Sequence, residues 1–315
     1  MREPNKPIEL LPIFRERIWG RTSLEPLFAD RVLSERIGEV WFTFEENSTS
    51  EGKSLKTLLK ERPQILGTAA DPEHPGICPI LLKLLFTTER LSVQVHPGDE
   101  YAREHHQCLG KTEAWYVLEA RPPGELAVGF RETLTPERFR EAARSGEIEQ
   151  LLDWREVEAG DVIFTPAGTV HAIGAGLTIC EIQENSDITY RLYDYGRPRE
   201  LHLEHGAAVS QLGPYRERTK VVPLAAGRDE LAACSYFRIE RLRAETGFEI
   251  EALPYYVIAL CVKGSGTVSD VPFRSGQAWL VPAGGELKAE GPGSEWIVTY
   301  TAERPASGIR LRSSG

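Results

Sequence analysis

GDVIFTPAG at residues 160–168 returns as GQAWLVPAG at 276–284, with glycine, proline and glycine at the same spacing. Each copy reads as a strand that leaves a glycine turn, alternates its side chains inward and outward, and ends in a Pro-Gly turn facing a barrel interior. Two copies of one β-unit are implied. They part company just beyond the turn, where the first runs on to His171 and the second to Leu287. Only the first can offer an imidazole to its interior.

Working outward, runs rich in Val, Ile and aromatic residues recur at short intervals between Gly and Pro turns, the signature of many short strands. Leu91 to His96, Ala114 to Leu118, Val162 to Thr165, Leu177 to Gln183, Tyr256 to Val262 and Trp296 to Thr301 are the clearest. Helical signals are few. Thr135 with Pro136 behind it opens one helix through Phe139 and Ala143; a second is expected over about Glu147 to Trp154, and a third after Ser54 with Leu55, Leu58 and Leu59 on one side. Thr68 to Pro79 reads as a loop. The link between the copies is expected near Val209 to Asp229, where turn residues and charge gather.

The chain has 315 residues, 41% of them hydrophobic, enough for about two domains. Its net charge of −10, with both signs interspersed, gives no basic stripe for nucleic acid. An anionic ligand would therefore need positive charge concentrated locally, from a metal or from a few Lys and Arg in one cleft. The five cysteines are scattered without a CxxC pair and read as reduced thiols. The opening MREPNKPIELLPIF has no charged segment leading into a long apolar one, and no run of about 20 apolar residues occurs anywhere. A cytoplasmic protein that spans no membrane is expected.

In LSVQVHP, residues 91–97, Ser92, Gln94 and His96 alternate with Leu91, Val93 and Val95, so a strand here turns three polar side chains to one face. In GKTEAWY, Lys111 and Glu113 share a face if extended. Together with His171, these segments supply Gln94, His96, Glu113 and His171: two imidazoles, a carboxylate and an amide. That mixed set suits Zn²⁺, and also Mn²⁺, Co²⁺ or Fe²⁺. One carboxylate leaves such a site near +1, suited to an anionic intermediate. His105, His106, His202 and His205 lie in charged stretches and read as solvated.

The G-x5-P-x-G-x2-H pattern resembles the second motif of the cupin superfamily, a small double-sheet jelly roll. The fold class expected is mainly β, two cupin (jelly-roll) domains with a few short helices. Residues 1–215 would form a catalytic metal-binding domain with helical segments, and residues 216–315 a degenerate one. LLKLLFTTERLSVQVHP, GKTEAWYVLEA, GDVIFTPAGTVHAIGAG and EIQENSDITYRLYDYGRPRELHLE together resemble the short bacterial form of type I mannose-6-phosphate isomerase, in order from Ile18 to His205. The resemblance implies one zinc per chain on Gln94, His96, Glu113 and His171, catalytic roles for Lys111, Glu181 and Arg191, and substrate contacts from Ser92 and Lys83. Arg197, where longer members place a lysine, is expected to bind substrate too, and the family more often carries a glutamate directly after the position of Trp41.

The activity so implied is aldose–ketose exchange between mannose 6-phosphate and fructose 6-phosphate by proton transfer through a cis-enediol, with a small phosphosugar as substrate and neither nucleic acid nor membrane as partner. Three rivals stand beside it. A cupin dioxygenase resembles a site of three His and one Glu, which Gln94 disfavours. A non-catalytic sugar-binding cupin would keep the metal site and lose Lys111, Glu181 and Arg191, and an isomerase of another phosphosugar would keep all of them.

Overall fold

The computed structural model describes residues 5–217 and 219–312; residues 1–4, where the opening stretch begins, lie outside them. Two β-barrels, each made of two antiparallel sheets, account for the chain. The first barrel has a six-stranded sheet, in order Ile13–Arg21, Ile37–Trp41, Ile80–Phe86, Leu177–Glu184, Glu113–Ala120 and Val162–Thr165. Facing it is a five-stranded sheet of Tyr190–Tyr193, Val93–Val95, His171–Ile173, Glu125–Phe130 and Leu152–Glu156. The second barrel repeats the plan with a seven-stranded and a five-stranded sheet. Both copies of the repeated motif are strands, Val162–Thr165 and Ala278–Val281.

The large sheets of the two barrels pack back to back. Ile80, Leu82, Leu84 and Phe86 from the first meet Ile258, Leu260, Leu280 and Ile297 from the second in one buried cluster. The alternate residues of the same strands face the two interiors: Lys83 and Leu85 on one side, Val257, Ala259, Trp279 and Trp296 on the other. The strand Ile8–Leu10, early in the chain, pairs with Ala278–Val281 at the edge of the second barrel.

Helices form where capping chemistry predicts them. Ser54 caps Leu55–Glu61 by accepting from the Thr57 amide, and Thr135 caps Pro136–Ser145 by accepting from the Arg138 amide. The helix expected over Glu147 to Trp154 is a correction: only Ile148–Leu151 is helical, and Leu152–Glu156 joins the small sheet beside Glu125–Phe130. Pairing with an available strand edge outweighs a helix of a single turn, which nucleates poorly. The strand expected from Leu91 to His96 is regular only over Val93–Val95. Two helices, Asp99–His106 and Leu203–Val209, carried no signal that was read. All five cysteines are unpaired, and among the described residues no helix is long and apolar enough to cross a membrane.

Candidate active site

Strand register builds the site in two facing rows. In the small sheet, Arg191 pairs with Gln94 and Gln94 with His171. In the large sheet, Trp41 pairs with Lys83, Lys83 with Glu181, and Glu181 with Trp115. One step further along, Gln183 pairs with Glu113, two residues from Trp115 and therefore on the same face.

His96, Glu113 and His171 converge, with ligand atoms all within 4.8 Å of one another and each side chain at most 2% exposed. Glu113 Oε1 lies 3.3 Å from His171 Nε2 and Oε2 lies 3.6 Å from His96 Nε2. Both carboxylate oxygens and His96 Nε2 are buried without a hydrogen bond. Such groups are costly to leave unmade. Backbone carbonyls fix both imidazoles: His96 Nδ1 is 2.8 Å from the Ile188 oxygen and His171 Nδ1 2.9 Å from the Thr169 oxygen. Each Nδ1 thereby donates, leaving the two Nε2 lone pairs toward the cluster, the arrangement of metal-ligating histidines. Burial holds both imidazoles neutral, His171 down to about 4 and His96 well below its ordinary value. The Gln94 amide ends 3.1 Å from His171 Nε2, so all four expected donors come together. Orphaned donors of this chemistry fit a divalent ion.

Beside the cluster opens a cleft of about 620 Å³, lined by Lys83, Ser92, Gln94, Lys111, Glu181, Arg191 and Arg197. Lys111 Nζ is 3.4 Å from Glu113, linking cleft and cluster. Burial would lower its pKa, but the negative charges of Glu113, Glu181 and Asp187 prevail and raise it. Glu181 takes a hydrogen bond from the Trp115 indole at 3.0 Å and faces Lys83 at 3.5 Å. Burial, then the neighbouring Glu113, pushes its carboxyl up. Lys83 sits mid-strand and buried, with Asp187 also at 3.5 Å and its ammonium 4.5 Å from the Trp41 ring centre.

Arg191 donates to the Glu200 carbonyl, and its Nε has no partner. Asp194 is engaged by Arg197 and, through two bonds of 2.6 and 2.7 Å, by Arg199. Arg197 also donates to the Arg90 carbonyl, while its buried Nη1 is unpartnered. Sequence reasoning missed Glu39 and Arg17, which line the same cleft. Glu39 lies two residues before Trp41, accepts from its indole at 2.7 Å and pairs with Arg17 at 2.9 Å. The family glutamate sought after Trp41 is absent, yet the strand supplies a carboxylate at its alternate position. The four histidines expected to be solvated pack instead with Tyr101 and Tyr190 in an aromatic group of their own, His202 and His205 half-buried and His106 Nε2 lying 2.7 Å from the Tyr190 hydroxyl.

A model of the phosphomannose isomerase type I catalytic domain matches residues 8–141. The mannose-6-phosphate isomerase ManA of Bacillus subtilis is 34% identical over 94% of this chain and 99% of its own length. A mannose-6-phosphate isomerase of Streptococcus mutans is 31% identical over 88% of this chain and 92% of its own. The crystal structure of the mannose 6-phosphate isomerase from Bacillus subtilis superposes with a TM-score of 0.85 at 29% identity, covering 94% of this chain and 99% of that one.

Proposed function

Since the chain belongs to the type I phosphomannose isomerase family, we propose that its cleft interconverts mannose 6-phosphate and fructose 6-phosphate by proton transfer between C2 and C1. The observation that carries this reading is the meeting, in one cleft, of a buried carboxylate outside the metal cluster with two lysines and an arginine.

His96, Glu113, His171 and Gln94 would hold one divalent ion, and the N/O donor set supports zinc. When bound, the ion would supply Lewis-acid stabilisation of the charge developing on the sugar's oxygens. The protein's own groups do the rest. Glu181 takes the C2 proton of mannose 6-phosphate and returns it to C1, passing through a cis-enediol. Its raised carboxyl range lies nearer the working pH of a general base. Lys111, whose pKa is raised, starts as an ammonium, gives a proton to O1 and takes one back from O2, rather than abstracting from carbon. Arg191 faces the same charge. Ser92, Lys83 and Arg197 bind the remote part of the substrate, with the unpartnered Arg197 Nη1 an available donor for the phosphate. A cytoplasmic setting agrees with five unpaired cysteines.

Conversion of mannose 6-phosphate, followed with and without a chelator and with metal content measured, tests the reading. Turnover that vanishes on chelation and returns with zinc is expected. A chain that holds its metal yet converts no mannose 6-phosphate would instead be a sugar-binding cupin or an isomerase of another phosphosugar.

A further inference from the structure

Lys111 reaches the cleft from an irregular segment, residues 107–112, between the helix Asp99–His106 and the strand Glu113–Ala120. A side chain that must meet a substrate atom to within a fraction of an ångström needs its backbone held. Three consecutive amides do this. The Gly110 amide donates to Asp99 Oδ1 at 2.8 Å, the Lys111 amide to the Pro97 carbonyl at 3.0 Å, and the Thr112 amide to Glu184 Oε2 at 2.7 Å. A Cβ on Gly110 would lie 2.6 Å from the Asp99 nitrogen, so the approach depends on glycine.

Asp99 is the hub. Its second oxygen accepts a 2.8 Å hydrogen bond from the Tyr236 hydroxyl, and Tyr236 belongs to the second barrel, just before the strand Arg238–Ala244. Its own backbone is fixed there by the Thr301 hydroxyl, at 2.9 Å. The Asp99 and Glu184 carboxyls, each held to this segment by an amide, act on each other's titration, an arrangement that favours one proton between them.

We propose that Tyr236, Asp99 and Glu184 are positioning residues that set the place of Lys111, so that the second barrel aligns the proton-transferring lysine of the first. This rests on the role given to Lys111 above. Burial, and after it the Asp99 charge, push Glu184 up to about 8, against the Thr112 amide. At pH 7 Glu184 therefore carries the shared proton, whereas above pH 8 two negative charges face each other and the bracket loosens. The groups facing the pair are the Gly110 and Thr112 amides, Arg103 on the helix, and the Tyr236 hydroxyl and Cys234 thiol of the second barrel. None of these can neutralise a second carboxylate except Arg103, which acts on Asp99.

The test uses full-length, metal-loaded protein. Tyr236→Phe should lower kcat roughly 3- to 10-fold, the loss of one hydrogen bond, with KM and metal content unchanged. The parent's kcat should fall as pH rises through about 8, and Glu184→Gln, normalised to its own value at pH 7, should lose that decline. A Tyr236→Phe protein with parental kcat, or a Glu184→Gln protein that keeps the parental decline, overturns the proposal. If Tyr236→Phe fails to fold, the Glu184→Gln profile decides. Amide hydrogen exchange at Gly110 and Thr112 reads the bracket without any substrate. It should speed up in Glu184→Ala, and an unchanged rate overturns the bracket even if the chain converts no mannose 6-phosphate.

Discussion

Where the first barrel carries His171, wholly buried beside Glu113, the second carries Leu287 among Trp296, Phe248 and Val257. The second interior is closed by aromatic packing: Phe273 meets Trp296 at 4.7 Å, Phe248 meets it at 5.1 Å and Trp279 at 5.5 Å, tilted or edge-on. Each such contact adds about 0.5–1.5 kcal/mol beyond the area it buries. The first interior gives up that gain. It holds a carboxylate with both oxygens unbonded and an unbonded imidazole nitrogen, whose desolvation costs about 1–3 kcal/mol apiece without a ligand. One scaffold can thus be a stabilising plug or a reactive pocket, and the shared back-to-back core lets the first state lean on the second.

Turning the first interior into the second is the most drastic way to break this contrast. His171→Leu should abolish both metal binding and turnover, read by elemental analysis and assay. The same change should alter the acid response of the metal-free protein. The unfolded chain takes a proton on this imidazole near 6.5, the folded chain only near 4, so the stability tied to His171 is complete above pH 6.5 and lost as pH falls toward 4. Thermal melts of the metal-free parent from pH 7 to pH 4 should decline more steeply than those of His171→Leu.

Glu181→Gln separates chemistry from the cluster. It should lower kcat by about 10²–10⁴-fold while one metal per chain remains. Near-normal turnover would reassign Glu181 to structure and move suspicion to Lys111. In the other barrel, Trp296→Ala should cost about 3–5 kcal/mol in denaturant unfolding, with KM and metal content of the folded protein unchanged. Smallest of all, Leu287→His should leave metal content at one per chain, because no carboxylate or second imidazole stands where Glu113 and His96 stand in the first barrel.

The sequence announced the difference between the barrels because it lies within short, regular patterns. The alternation in residues 91–97 put Gln94 and His96 on one face, and the motif spacing delivered His171. What joins those pieces is register between strands about a hundred residues apart, which no local pattern encodes. Lys83 shows the limit: its strand Ile80–Phe86 is buried along its whole length because one face meets the other barrel and the second meets the cleft, so alternation is masked. Glu39 was overlooked for a related reason, since it holds a pleat position rather than a motif position. The helix expected over Glu147 to Trp154 failed because Leu152 found a strand partner. Asp99, Glu184 and Tyr236 come from three distant segments and become neighbours only through the fold.

The strand Ile8–Leu10 gives the molecule an order in time. It is made before every other strand described here, and its partner, Ala278–Val281, only after the whole first barrel. Elements usually fold as they emerge, but this one, bridged early through Leu10 to Thr49, waits for its full strand partner and for the half of its core that the second barrel supplies. The first barrel can therefore form while this strand still lacks its full partner, and closure of that edge waits for the second barrel.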